Sequence, residues 1–351
     1  MNVPMTDGAA AQLSPFDLML ADGRRVSVAV GGEEAILLLD GQTSLVLATT
    51  APDRFEARVA PDRAFPAAAF LPLLAHKFSH RQRPDKITLS LPASVDWARE
   101  AVRAGVFQTV SSADGMTTLS VDRGAFWQLP QPWLAGTTSA TTPLVYVMTD
   151  GKRHPRRPAK PVGNVYRRYM PRLATTFSMR AIDIDRDVEI FNRWMNLDSV
   201  AEFWNERGSL DEHRAYLQKV MDDPHTISMF GCFDDEPFAY FEVYWAKEDR
   251  IAPFYDVDDY DRGAHLLVGD PRHQGPRKVE AWFRALNHYL FLDDPRTRRV
   301  VGDPRIDHVR WIDYMQRQGL VRLKEFDLPH KRSALILAER ETFFGPPWGG
   351  V

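Results

Sequence analysis

The sequence predicts an α+β protein in two parts. A small β-rich α+β domain is expected over residues 1–150, and a mixed β-sheet flanked by helices over residues 175–351, with a basic linker at 151–174. Three observations carry this expectation. Asp-Gly pairs punctuate short apolar runs near the start, a stretch rich in proline and Lys/Arg interrupts the patterning, and strand and helix periods alternate regularly beyond it. A chain of 351 residues also suits two ordinary domains better than one core.

Composition narrows the function classes. With 44% hydrophobic residues, 26% charged residues and a net charge of −3, the chain reads as globular, without the basic balance of a nucleic-acid binder. The single cysteine, Cys232, excludes an internal disulfide and a Cys-based metal cluster, and suits a reducing compartment. The first residues lack a charged region followed by an apolar run, and no stretch reaches the length that spans a bilayer. A cytoplasmic protein without a membrane partner is expected.

Residues 16–49 read as a β-meander. Phe16–Leu20 and Arg25–Val30 flank Asp22-Gly23, while Ala35–Leu39 and Ser44–Thr49 flank Asp40-Gly41. Asp-Gly between apolar runs signals a tight hairpin, whose central positions need positive φ. A helix near Pro66–Arg81, a strand at Ile87–Leu91 and a helix near Val95–Gly105 follow. Strands at Phe107–Val110, Thr117–Val121 and Leu144–Met148 complete this half, which carries no chemical motif. Gly151–Pro171 shows no apolar periodicity, so a solvated connector is expected there. A phosphate-binding arm is the alternative, given its charge.

Beyond the connector, Phe177–Ile182 reads as a strand and Asp185–Met195 as a helix with Val188, Phe191, Trp194 and Met195 on one face. Ser209 and Glu212 form a capping box that opens a helix expected to bury Tyr216, Leu217, Val220 and Met221. Strands Thr226–Phe233 and Phe238–Trp245 flank a hairpin turn at residues 234–237. An acidic loop, Glu248–Asp261, reads as solvated. Strand Ala264–Gly269, helix Pro276–Leu290, strand Arg298–Val301 and helix Asp307–Arg317 follow, and strands Val321–Leu328 and Ala334–Ala338 close the domain.

The segment from His265 to Arg277 carries the chemistry. An apolar strand, in which His265 is the sole titratable side chain, runs into a loop holding Arg272 and Gly275, and Pro276 sits where a helix should begin. The unpaired N–H groups of a helix's first turn, together with its dipole, bind anions. Arg272, Arg277 and Lys278 add cations at an end where basic residues are disfavoured, which an anionic ligand explains better than a plain strand–turn–helix. Farther on, Asp303-Pro304 ends a strand and Asp307 can cap a helix that turns Val309, Ile312 and Met315 inward. Gly319 supplies its left-handed stop.

Together these segments resemble the GNAT acyltransferase superfamily, in residues and in element order. Arg272 and Gly275 match its Arg/Gln-x-x-Gly-x-Gly/Ala diphosphate motif, departing at Arg277. Asp303, Pro304 and Gly319 match a second motif, with His308 in place of Asn and Leu320 in place of Phe. Phe203-Trp204 and the runs 240–245, 260–269 and 291–301 make the resemblance closest to the siderophore-biosynthesis branch, which acylates N-hydroxylysine or N-hydroxyornithine and serves the aerobactin pathway among others. The resemblance covers roughly Arg180–Trp348, half of the chain.

The resemblance implies a GNAT-fold sheet and direct attack of the acceptor nitrogen on acetyl-CoA, without a cysteine nucleophile. The pantetheine arm would lie along Ala264–Gly269, where N–H groups of Leu266, Leu267 and Val268 polarise the thioester. Arg272, Gly275, Arg277 and Lys278 would hold the diphosphate. His265 is the expected general base, with a satisfied core histidine as the alternative. Asp303 and Asp307 are both candidates to orient it. Trp204, Asn205, Glu242, Tyr244 and Trp245 are candidates for the acceptor pocket, the rings lining the methylene chain and Asn205 or Glu242 binding polar ends. The superfamily's usual tyrosine acid would fall near Met315, beside Tyr314. No metal is expected, because the acidic loop lacks clustered histidines. The expected reaction is acetylation of the hydroxylamino nitrogen of N6-hydroxylysine to a siderophore hydroxamate. N5-hydroxyornithine, another amine, or a non-catalytic GNAT-fold scaffold are the alternatives. The expected partners are acetyl-CoA and a small hydroxyamino acid, with a homodimer admissible and no nucleic acid.

Overall fold

A computed structural model describes residues 12–13, 15–20, 22–61, 65–80, 83–92, 95–135 and 143–345. Arg81, expected to end a helix, and Trp348, the end of the family resemblance, lie outside the described residues. The chain forms two compact units, one ending at Pro132 and the other running from Trp133. Among the described residues no helix is long and apolar enough to cross a membrane.

The first unit is built on a nine-stranded sheet. Its strands are β1 (Gln12–Leu13), β2 (Leu18–Met19), β3 (Arg25–Gly31), β4 (Glu34–Leu39), β5 (Gln42–Ala51), β6 (Arg54–Ala57), β7 (Lys86–Leu91), β8 (Thr109–Ala113) and β9 (Met116–Asp122). The order is β1-β3-β4-β5-β6-β7-β9-β8, with β2 also on β3. Helices α1 (Leu71–Ser79), α2 (Val95–Arg103) and α3 (Arg123–Phe126) accompany it. The meander forms as its turn residues dictate, although only the second turn has positive φ at both Asp and Gly; in the first, Gly23 alone does.

The stretch expected to be a connector instead belongs to the second unit. Lys152–Pro155 is strand β11, paired with β10 (Tyr146–Thr149), and Asn164–Met170 is strand β12, at one edge of the main sheet. Val165, Tyr166 and Met170 are buried, but interleaved arginines hide their pattern in the sequence. The alternative, a phosphate-binding arm, has two of its cations engaged internally. Arg157 binds Glu248 through two nitrogens (2.5 and 2.6 Å), and Lys160 donates to the carbonyls of Val220 and Met221 (2.8 Å each) at a helix C-terminus.

The remaining elements of this unit are β13 (Thr175–Ala181), α4 (Ile184–Met195), α5 (Asp198–Trp204), α6 (Leu210–Asp222), β14 (Thr226–Phe233), β15 (Glu236–Trp245), β16 (Arg262–Val268), α7 (Pro276–Asp293), β17 (Arg299–Gly302), α8 (Val309–Arg317), β18 (Val321–Leu328), β19 (Lys331–Glu339) and α9 (Arg340–Phe344). The sheet order is β12-β13-β14-β15-β16-β17-β19-β18. Val188, Phe191, Trp194 and Met195 of α4 pack with Val200 and Leu217 against Phe230, Cys232, Tyr240 and Leu267 of the sheet. Full burial of a side chain such as Phe191 or Leu217 stabilises by roughly 1.5–3 kcal/mol. On the other face, Trp282 of α7 packs against Phe238 and Phe241.

The capping box forms as expected, Ser209 accepting from Glu212 N–H and Glu212 accepting from Ser209 N–H. Only His213 and Leu217 of α6 are buried, however, and Met221 is exposed, because the helix leans mainly on α4 and presents a narrow stripe. The β14–β15 turn is tighter than expected. Asp234 and Asp235 both take positive φ, and β15 begins at Glu236. Sequence reading missed α5, β11, β12 and α9.

Every pairing in this sheet is antiparallel except β16 with β17, which run parallel for just two pairs, Arg262↔Val300 and Gly263↔Val301. Beyond Gly263 the strands diverge, while β16 stays paired to β15 through Val268. Two glycines fit the chain around this split. A Cβ on Gly263 would lie 2.3 Å from the Tyr244 ring, and one on Gly269 would lie 2.0 Å from Trp194.

Candidate active site

The divergence leaves one edge of residues 264–268 open, and strand alternation tells which amides face it. Ala246 N–H donates to Asp261 and Gly269 N–H to Phe238, so odd-numbered residues of this strand hydrogen-bond towards β15. The N–H groups of Leu266 and Val268 therefore face the opening. That of Leu267, expected to join them, points to Tyr240, and its side chain is core.

Side chains follow the same alternation. His265 pairs with Glu242 across the ladder, on the face that also carries Tyr240 and Tyr244. Carrying the parallel register of β16 and β17 two residues past Gly263 and Val301 places Asp303 beside His265. Glu242 Oε2 lies 3.2 Å from His265 Nδ1, and Asp303 Oδ1 lies 3.9 Å from Nε2. The imidazole thus has a carboxylate at each nitrogen and is about one quarter exposed (26%).

The supporting contacts fix the tautomer. Glu242 is buried and takes Tyr216 Oη (2.5 Å) and Tyr240 Oη (2.9 Å) on its other oxygen. Burial opposes the charge on Glu242, but hydrogen bonds from His265, Tyr216 and Tyr240 outweigh it and hold the carboxyl below its ordinary range. An ionised Glu242 requires a proton on Nδ1, which leaves the Nε2 lone pair turned towards the opening. Burial alone would lower the imidazole; the hydrogen bond and charge of Glu242, joined by Asp303 and Asp249, raise it above its ordinary value. Asp303 is itself buried and held by Lys331, whose Nζ lies 3.0 Å from the carboxylate and 2.6 Å from the backbone carbonyl.

Several expected residues take other positions. Asp307 is exposed and bound by Arg305 (Nε to Oδ1 3.0 Å), and no side chain caps α8, so Asp303 alone of the two reaches the imidazole. Glu242 is part of the support behind His265, and both its oxygens already accept hydrogen bonds. Trp245 lies on the opposite sheet face, buried between the guanidinium groups of Arg157 and Arg262 (4.2 and 3.9 Å from its ring). Asn205 is the left-handed C-cap of α5 (φ 55°), which explains its residue type. Trp204 is half-buried with its ring 6.4 Å from the imidazole, and the Tyr244 ring lies 4.9 Å from it. Tyr314 packs against Trp311 and Phe283 instead. Cys232 is core, and burial pushes its thiol up to about 11.

At the loop, α7 begins at Pro276 with Gly275 as N-cap and no side-chain cap; Lys278 N–H donates to the Gly275 carbonyl (3.0 Å), which leaves Arg277 N–H as the uncapped first-turn amide. Arg277 is exposed and makes no ion pair among the described residues, whereas Arg272 is tied to Asp270 and Glu236. Lys278 donates to the Arg272 carbonyl (3.2 Å). A pocket of about 390 Å³ adjoins this loop, lined by Arg193, Trp194, Pro237, Gly269 and Gln274 among others.

The acidic loop differs from the expected solvated one. Glu248 and Asp261 are buried, and His154 and His225 gather at Glu248 within 4.8 Å. Histidines do cluster with a carboxylate here, contrary to the expectation from sequence. The carboxylate, however, is engaged by both nitrogens of Arg157, and a guanidinium at that distance opposes a cation.

Comparison with known proteins bears on this geometry. Residues 183–328 match the acetyltransferase (GNAT) domain family. The chain is 41% identical over 259 residues to a putative lysine N-acyltransferase of Schizosaccharomyces pombe, spanning 73% of this chain and 77% of that one. This chain belongs to the GNAT acetyltransferase family. Another relative, an N(6)-hydroxylysine O-acetyltransferase of Escherichia coli, is 40% identical over 262 residues, 74% of this chain and 81% of that one. An N(5)-hydroxyornithine transacylase of Beauveria bassiana is 48% identical over 195 residues, covering 54% of this chain and 43% of its own length. Among solved structures, an uncharacterized protein from Bacillus halodurans aligns with a TM-score of 0.50 and 27% identity, over 52% of this chain and 94% of that one. The GNAT domain match lies within the second unit, and the relatives agree with the fold expected from the sequence. Lys331, Tyr216 and Tyr240 are the residues of this cluster that sequence reading missed; a period-2 face of Tyr240, Glu242 and Tyr244 was the available signal.

Proposed function

We propose that the protein transfers the acetyl group of acetyl-CoA to the hydroxylamino nitrogen of N6-hydroxylysine, giving a hydroxamate for a siderophore of the aerobactin type and hence for iron acquisition. The observation that supports this best is His265 at the split between β16 and β17, its Nδ1 held by Glu242 and its Nε2 lying near Asp303 and the Arg250 guanidinium. In this reading the pantetheine arm lines the open edge of β16, Leu266 and Val268 donate to the thioester oxygen, and the diphosphate rests on the first turn of α7 with Arg277.

The acceptor nitrogen attacks the carbonyl carbon, forming a C–N bond while its proton passes to His265 Nε2. The oxyanion collapses, the C–S bond breaks, and the proton completes free CoA thiol. A hydroxylamine is far less basic than an alkylamine, so it arrives neutral, with its lone pair available. Asp303 and Glu242 stabilise the imidazolium that forms. Supply of acetyl-CoA and a single reduced cysteine suit a cytoplasmic setting.

N5-hydroxyornithine is the second reading, favoured by the 48% identity to the Beauveria transacylase. Purified protein with acetyl-CoA should release thiol with N6-hydroxylysine far faster than with lysine, and mass spectrometry should find the hydroxamate. Higher kcat/KM for N5-hydroxyornithine would select the second reading, and equal rates with lysine would discard both.

A further inference from the structure

We propose that Arg250 reads the hydroxyl oxygen of the acceptor and makes the enzyme select N-hydroxyamines over primary amines. The inference rests on the acceptor class proposed above and assigns its discrimination to one side chain.

Arg250 lies in the turn after β15, with its side chain 44% exposed. Among the described residues its guanidinium makes close polar contact with two groups of the candidate site. One terminal nitrogen is 3.4 Å from His265 Nε2 and 3.8 Å from Asp303 Oδ2. With Nδ1–H donated to Glu242, Nε2 carries a lone pair, and Arg250 is the donor placed on it. A base cannot accept a substrate proton while another donor holds its lone pair. The acceptor must therefore displace the guanidinium, which stays within reach of whatever atom adjoins the attacking nitrogen.

The two acceptor classes differ at that atom. In an N-hydroxyamine it is an oxygen with lone pairs, which can replace Nε2 as the acceptor of the Arg250 hydrogen bond. In a primary amine it is a methylene that accepts nothing. The primary amine is also protonated near neutral pH, so it brings a positive charge up to the guanidinium. Asp303 and Glu242 would attract that charge and, without Arg250, would favour the wrong acceptor. Arg250 offsets them, and the neutral hydroxylamine suffers no such penalty.

The test compares kcat/KM for N6-hydroxylysine and for lysine in the wild type, Arg250→Gln and Arg250→Lys. Loss of a charge-assisted hydrogen bond should lower the N6-hydroxylysine value by about 10- to 100-fold in Arg250→Gln. Turnover of lysine should stay level or rise, so that the selectivity ratio falls at least tenfold. Arg250→Lys should retain an intermediate ratio. Acetyl-CoA affinity, read by calorimetry, should not change, because the proposed diphosphate site lies at α7; this separates misfolding from lost discrimination. A selective wild type whose Arg250→Gln variant keeps the same ratio, or loses both activities by one factor, overturns the role of Arg250 alone. A wild type that is unselective overturns the acceptor reading itself.

Discussion

Replacing Glu242 with Gln probes the support of the imidazole without opening a cavity. The carboxylate and Nδ1 are 3.2 Å apart, where unit charges at an effective dielectric of about 20 interact by about 5 kcal/mol. Delocalisation over both groups and partial solvent access reduce this to about 3–4 kcal/mol in the step that forms imidazolium. That corresponds to a turnover loss of about 10²–10³-fold. The amide also offers His265 an N–H where it needs an acceptor, because both Tyr216 and Tyr240 already donate to the other atom. The ring is then driven to carry its proton on Nε2, where it cannot act as a base. The pH profile supplies a second reading. In the wild type the imidazole is raised, so kcat/KM should climb with pH through a value above that of an ordinary histidine. Removing the anion lowers the imidazole and must move this acid limb to lower pH, while acetyl-CoA affinity is unchanged. Thiol release at saturating acetyl-CoA, across pH, measures both quantities. Turnover within about threefold of wild type, with an unmoved limb, would show that Glu242 does not support a base at this position.

Other outcomes follow from the same geometry. His265→Ala should lower kcat by at least about 10²-fold with little change in acetyl-CoA affinity, since the ring is a proton acceptor rather than a cofactor contact. Asp303→Asn should cost turnover heavily and Asp307→Asn hardly at all, because only the former reaches the imidazole; parallel rate measurements decide. Arg277→Ala should weaken acetyl-CoA binding several-fold by calorimetry, and Arg272→Ala less, since Asp270 and Glu236 already neutralise Arg272. Gly263→Ala should destabilise the protein by about 1–3 kcal/mol in denaturant melts, because its methyl would meet the Tyr244 ring at 2.3 Å.

The elements of the second unit were largely legible because their signals are local. A capping box, a proline at the first helical position, and apolar stripes at helical spacing each act within a few residues. Where signals conflict, legibility ends: β12 carries exposed Arg167 and buried Arg168 between its buried apolar residues, and the stretch reads as a linker. His265 was visible as a lone titratable group in an apolar strand. Its partners were not, because Glu242 is 23 residues away and meets it through ladder register, and Asp303 through a parallel register across α7. Arg250 and Lys331 carry no local mark at all. Trp245 was expected in the pocket as one ring of an aromatic wall that also included Tyr244, and only Tyr244 lies near the imidazole. Strand alternation turns adjacent residues to opposite faces, and composition does not say which face holds the site.

One topological feature generates the site. A parallel pair needs a crossover, here α7, and the helix must start where β16 ends. Its first turn therefore lies near the end of β16, beside the split, whatever the side chains are, and in open α/β sheets ligands gather at the carboxyl ends of strands where the strand order breaks. The same divergence frees the amides of Leu266 and Val268 and brings Asp303 beside His265 without pressing them into van der Waals contact. In the proposed reading, an amide edge, an anion site and a proton acceptor thus arise together from pairing that stops at Gly263. Mutations that remove a single side chain can separate these functions, as Arg277 and His265 should. A change that extends β16–β17 pairing by even two residues would engage Leu266 N–H and close the edge. It should abolish acyl transfer and weaken acetyl-CoA binding together, although every site residue remained in place.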